Sequence, residues 1–145
     1  MKLETAKALL RYAKQYVELG KLRVVHDKSW YYMPKYSAIA VMKREDEDRE
    51  DMNHNYWFMG YIEKEFNLEL TYDEIEIFSL FHELGHHMNG WILDPEVYHM
   101  LVDEAVSMYE YRQIADERKA DEFAANFIKE HYDDLTKIYV EEESY

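Results

Sequence analysis

Cysteine is absent from the 145 residues, and glycine and proline are scarce, with four and two copies. Without cysteine there is no disulfide, no thiolate zinc ribbon and no thiol nucleophile, so a bound metal must be held by His, Asp or Glu. Too few Gly and Pro remain for the tight turns of an all-β sandwich, which favours helices. Basic side chains are also in deficit, 17 against 31 acidic, for a net charge of -14. That balance argues against direct DNA or RNA binding, because phosphates reward Lys and Arg. Long apolar runs are missing too. The stretch Tyr56–Ile62, interrupted by Gly60, falls far short of the roughly 20 residues a membrane span needs. Glu4, Lys7, Arg11 and Lys14 stand where a signal peptide would carry its apolar region. The expectation is a cytoplasmic protein with no membrane segment.

What is present suffices for a core. The chain is 48% hydrophobic and 16% aromatic, too rich for a disordered acidic tail. A chain of this size buries roughly two-thirds of its unfolded surface, and residues 1–145 amount to one domain. Leu3, Ala6, Leu10, Ala13 and Val17 recur at spacings of three and four, an amphipathic helix ending near Gly20. Residues 1–28 carry seven basic and three acidic side chains, a local charge of +4, read as a solvated helix face.

Aromatic and β-branched residues then cluster in Trp30–Met33, Tyr36–Met42 and Tyr56–Ile62. These runs read as three short strands of a small, mostly antiparallel sheet. Lys43–Asp51, KREDEDRED, has nothing to bury and reads as an exposed hairpin loop. Beyond Thr71 the pattern is helical. Thr71 with Glu74 fits a capping box that opens a helix near Tyr72. That helix runs through FHELGHH to a stop at Asn89–Gly90. Asp94–Pro95 opens the next, with Val97, Leu101, Ala105 and Met108 as its apolar stripe. A further helix spans Ala115–His131 with Phe123, Phe127 and Ile128 inward, and Asp133 or Asp134 caps a short last one carrying Leu135, Ile138 and Tyr139. The terminal EEESY reads as frayed. The expected fold is α+β: an N-terminal helix, a small three-stranded sheet and a helical half bearing the chemistry.

That chemistry starts at His82-Glu83-Leu84-Gly85-His86, an HExxH motif. Positions i and i+4 of a helix differ by about 40° in direction, so His82 and His86 project from one face toward a shared ion. Glu83 stands to the side of that pair, where it can take a proton from an activated water without ligating. The motif follows the apolar run Ile75, Ile77, Phe78, Leu80, Phe81, and polar groups behind such a stretch are costly unless coordinated. Zn2+ is the expected cofactor.

A catalytic zinc needs a third protein ligand. The longer pattern HExxHxxGxxH fails, because Asn89 stands at its Gly and Ile92 at its last His. His99 fits no ligand spacing. Two carboxylates remain. Glu104 lies in DEAVSM, whereas Glu117 lies in ERKADEFAANF with Asp121 one turn along the same face. The second arrangement is the more coherent: Glu117 ligates while Asp121 accepts the outer N–H of a ligand histidine. Ala120, Ala124 and Ala125 keep that helix slim enough for close approach. His87 points away from the ligand pair, and His26, His54 and His131 read as solvated or core-edge side chains. An oxyanion donor is also needed, and the 14 tyrosines and His99 are its candidates.

FHELGHH followed by ERKADEFAANF resembles the ImmA/IrrE-type metallopeptidase domain, whose signature joins an HELGH helix to a later ExEAxxFAA helix. The resemblance covers best Phe81–Ile128. It implies a gluzincin-like zincin in which His82, His86 and Glu117 hold zinc and Glu83 is the general base. It departs from the pattern at Lys119, at Phe127-Ile128-Lys129 and in the acidic lead-in Asp73-Glu74-Ile75-Glu76. Members of that family act on regulatory proteins, so the resemblance implies a protein substrate such as a helix-turn-helix repressor. An acidic enzyme would attract such a basic partner by long-range steering. Two other readings are an inactive zinc-stabilised acidic binding or inhibitor protein that mimics nucleic acid, and a toxin-type peptidase against a host protein.

Overall fold

The computed structural model describes residues 1–144 and has an α+β architecture. In chain order it runs α1 (Leu3–Ala13), β1 (Arg23–Asp27), β2 (Tyr31–Met33), β3 (Ala38–Met42), α2 (Arg49–Phe66), α3 (Ile75–Asn89), α4 (Pro95–Glu104), α5 (Met108–Gln113) and α6 (Ala115–Glu143). Among the described residues no helix is long and apolar enough to cross a membrane.

α1 buries Ala6, Leu9, Leu10 and Ala13, the three-and-four spacing at work. Its helix stops at Ala13 rather than near Gly20. The backbone instead winds on through tighter turns, with Gln15 N–H on the Tyr12 carbonyl and Tyr16 N–H on that of Ala13, so Val17 still packs on the core. The terminal Met1 ammonium donates to the Met42 carbonyl at 2.9 Å and pairs with buried Glu76, tying α1, β3 and the start of α3 together.

The sheet differs from the expected one in membership and direction. Its order is β1-β3-β2, with β1 parallel and β2 antiparallel to β3. It is therefore mixed. Arg23–Asp27 is the strand that sequence reasoning missed, because only Val24 and Val25 give it β character. Pro34–Tyr36 forms a 3-10 turn, and Ser37 takes a left-handed φ of 44° before the fully buried β3 begins.

Tyr56–Ile62 is helix, not strand. It lies inside α2, which buries Phe58, Tyr61 and Ile62 at helical spacing and leaves Tyr56 and Trp57 exposed. The helix is set upstream, within the charged run. Asp48 accepts from the Asp51 N–H at 2.8 Å, and Asp51 accepts from the Asp48 N–H at 3.1 Å, a reciprocal cap. Lys43–Asp51 is accordingly no hairpin loop. It is a 3-10 turn at Arg44–Asp46 and the start of α2.

α3 and α6 form the centre of the molecule and pack along much of their length. The Thr71–Glu74 box forms, with Thr71 N–H on Glu74 at 2.9 Å and Glu74 N–H on Thr71 at 3.3 Å. A tight turn intervenes before α3 starts at Ile75. Gly90, at φ 63°, ends it in a conformation that a side chain would strain. Where the two helices meet, a Cβ on Gly85 would lie 2.9 Å from both the Cα and the carbonyl oxygen of Ala120. Only glycine permits that approach. The two helices expected after Ala115 are there: α6 is divided at His131, whose backbone is non-helical (φ -128°, ψ 20°), and there the Tyr12 hydroxyl meets the His131 ring at 2.9 Å and Asp134 at 2.8 Å. The C-terminal turn is docked rather than frayed. Glu143 accepts from Thr5 and, at 3.1 Å, from the Lys2 N–H; Tyr145 lies outside the described residues.

α4 departs most from expectation. Asp94 caps it, accepting from the Glu96 N–H at 2.9 Å, but none of its residues is buried. Ala105 turns extended and ends it, and Met108 belongs to α5, capped by Ser107. The stripe Val97, Leu101, Ala105, Met108 is therefore split, with Val97 and Met108 exposed.

Candidate metal centre

α3 presents His82, Glu83 and His86, and α6 presents Glu117 and Asp121, across the Gly85–Ala120 contact. One donor atom from each of His82, His86 and Glu117 lies within 4.8 Å of the other two. The Glu117 carboxylate is 3.2 Å from His82 Nε2 and 3.0 Å from His86 Nε2. Donors held 2.0–2.1 Å from a tetrahedral ion stand about 3.3 Å apart, so this spacing fits zinc. Glu104, the other carboxylate considered, is exposed at the end of α4 and outside the group.

The hydrogen bonds behind the donors orient them. His82 Nδ1 donates to Asp121 Oδ1 at 2.7 Å, which leaves the lone pair on Nε2, facing Glu117. Two acceptors cannot approach so closely unless a proton or a metal cation lies between them. Arg112 Nη1 donates to the same Asp121 oxygen at 3.1 Å, and its guanidinium lies 4.0 Å from the Phe58 ring centroid. Asp121 Oδ2 and Arg112 Nε have no hydrogen-bond partner among the described residues.

Burial and charge compete at each ionisable group. Burial disfavours the His82 cation, but Glu83, Asp121 and Glu117 outweigh it and push its pKa up to about 10. Burial also resists the Glu117 carboxylate, yet hydrogen bonds from His82 and His86 hold it well below the usual carboxylate range. At Glu83 burial prevails over the nearby histidines, and the pKa is raised. A raised carboxylate is a stronger base near neutral pH.

These groups open into a cleft of about 480 Å³, within the range of small-molecule and peptide-side-chain sites. His82, Glu83 and His86 line it from α3, His54 and Phe58 from α2, and Tyr31 and Tyr32 from edge strand β2. The far wall comes from residues that motif reasoning did not select. Tyr98 donates to Glu117 Oε2 at 3.0 Å, and Tyr111 donates to Oε1 at 2.9 Å. Burial, then the Glu117 charge, raises both phenol pKa values, so both keep their protons. Asp116 accepts from the Ile92 and Leu93 N–H groups at 2.9 and 3.1 Å, anchoring the α3–α4 connection to α6. No spacing rule separates Tyr98 and Tyr111 from the other twelve of the 14 tyrosines. Arg112 carried one signal: a buried Asp121 calls for a cation.

The remaining histidines have structural partners or lie apart. His87 bonds the Leu19 carbonyl at 2.6 Å and the Tyr32 hydroxyl at 2.7 Å. His26 meets the Met1 carbonyl at 3.1 Å, and exposed His99 packs against Tyr98 and Trp91. His54 faces the cleft, where burial and then Arg112 lower its pKa, which favours the neutral ring. The chain matches no protein-family model, no curated protein and no solved structure.

Proposed function

We propose that the protein is a zinc-dependent peptidase that hydrolyses a peptide bond in a protein substrate. The observation that carries this reading is the convergence of His82, His86 and Glu117 at zinc-ligand spacing, with Glu83 buried beside them on the wall of an open cleft. A purely structural site has no use for a base there.

His82, His86 and Glu117 would hold the ion, and Asp121 fixes the His82 tautomer. Zinc, when bound, supplies Lewis acidity: it polarises the scissile carbonyl and lets a water lose its proton near neutral pH. Glu83 receives that proton and passes it to the departing amine nitrogen. Tyr98 and Tyr111 hold the two Glu117 oxygens in place. Both phenol protons are committed to Glu117, so Arg112, which also lines the cleft, is the candidate donor for the oxyanion that develops at the carbonyl. The edge of β2 borders the cleft, and unpaired edge groups can align an extended substrate backbone. The resemblance to ImmA/IrrE-type peptidases supports the same assignment and adds a regulatory protein, such as a helix-turn-helix repressor, as the substrate class.

The test incubates the zinc-loaded protein with a peptide library and with basic DNA-binding regulators, reading new termini by mass spectrometry. Glu83→Gln should retain zinc and lose roughly 100-fold or more in cleavage rate. Unchanged cleavage in that variant would overturn the mechanism.

A further inference from the structure

Seven of the thirteen exposed large apolar side chains fall in the short segment 91–109. They include Trp91, Ile92, Val97, Met100, Val106 and Met108, with Met100 half exposed at 50% and Val106 at 85%. Apolar side chains scattered singly are ordinary, but this density in one short segment is not. Two of them, Val97 and Met100, stand one turn apart on the exposed face of α4, while Tyr98, Leu101 and Val102, at i, i+3 and i+4, are half-buried on the side that reaches Glu117. The outward stripe is flanked by Glu96 and Asp103, and Asp94 and Glu110 stand at the segment's two ends. Residues 65–111 contain no Lys or Arg.

We infer that the outer face of α4 is a docking surface for a basic amphipathic helix of a partner protein. The apolar stripe would accept the partner's apolar face, and the flanking carboxylates its Lys and Arg. Exposed Met100 and Met108 suit such a surface, because methionine repacks against varied partners. Anionic membranes are the poorer match, since the same carboxylates repel them. The face is continuous with the metal centre. The inner side of α4 reaches Glu117 through Tyr98, and the connection before it hangs on Asp116. A helix docked there lies beside the cleft. That the docked partner is also the substrate rests on the peptidase reading; the docking itself does not.

The test uses metal-free Glu83→Gln protein, so that binding is read without cleavage, and labelled synthetic helices followed by fluorescence anisotropy. A leucine–lysine helix with one apolar face should bind. A lysine–serine helix of equal charge and a leucine–glutamate helix should bind at least about tenfold more weakly. V97S/M100S, at two exposed positions, should keep the parent melting temperature and lose at least about tenfold in affinity for the leucine–lysine helix. E96K/D103K should lose a similar factor and flatten the salt dependence. Equal binding of the lysine–serine helix would reduce the effect to net charge and overturn the proposal. So would parent-like affinity in V97S/M100S, preferential binding to anionic vesicles, or a dimer that V97S/M100S converts to monomer.

Discussion

The α3–α6 pair and α4 contribute to the same centre in opposite ways. α3 and α6 are packed so closely that one residue must be glycine, and their donors are held by bonds from neighbouring buried groups. α4 has no fully buried residue, and is tied to the centre by the Tyr98 phenol and, through the connection before it, by the Ile92 and Leu93 N–H groups. Ligand geometry must hold to a fraction of an ångström, which demands rigid packing. On the proposed peptidase reading, a wall that admits a polypeptide would need the reverse, an element whose position costs little to change.

The sharpest way to break that contrast is to make one substitution on both sides of it. Leu84→Ala, in the core of α3, should cost about 2–5 kcal/mol of unfolding free energy, read by urea denaturation. Gly85→Ala should follow at about 1–3 kcal/mol, because the new Cβ meets backbone rather than a movable side chain. It should also weaken zinc binding, since the two ligand helices must separate. Asp121→Asn should lower zinc affinity by roughly 10–100-fold, measured by competition with a chelator. Leu101→Ala, at a half-buried position of α4, should lower unfolding free energy by no more than about 1 kcal/mol. A loss there as large as at Leu84 would erase the distinction between the two regions.

pH separates the metal-free and metal-bound forms. In metal-free protein the His82 pKa of about 10 lies above the roughly 6.5 of an unfolded histidine. Its contribution to stability is therefore complete below about pH 6.5 and is lost as pH rises through 10. The melting temperature in chelator should fall across that window, and His82→Gln should flatten the fall. Zinc competes with that proton, so zinc uptake near neutral pH should release protons to the buffer.

The centre was legible in the sequence wherever its geometry is local. His82 with His86, and Glu117 with Asp121, are each one helical turn apart, so a helix alone aligns them. The small residues Gly85 and Ala120 then let the pairs meet. What tertiary packing supplies was not legible. Tyr98, Tyr111 and Arg112 reach the centre from helices whose apolar stripe is not buried, so periodicity gives no clue to their direction. In the sheet half, Tyr56–Ile62 is rich in side chains that suit either strand or helix. The deciding signal was the reciprocal Asp48–Asp51 cap, hidden in a run of charges. β1 was missed because so little of it is apolar.

The central claim is that His82, His86 and Glu117 form one zinc site, and X-ray absorption at the zinc edge, with stoichiometry by mass spectrometry, tests it most directly. The expected result is one zinc per chain with two imidazole nitrogens and oxygen donors, lost in Glu117→Ala and retained in Glu104→Ala. Retention in Glu117→Ala together with loss in Glu104→Ala, or no stoichiometric zinc in the parent protein, would contradict it.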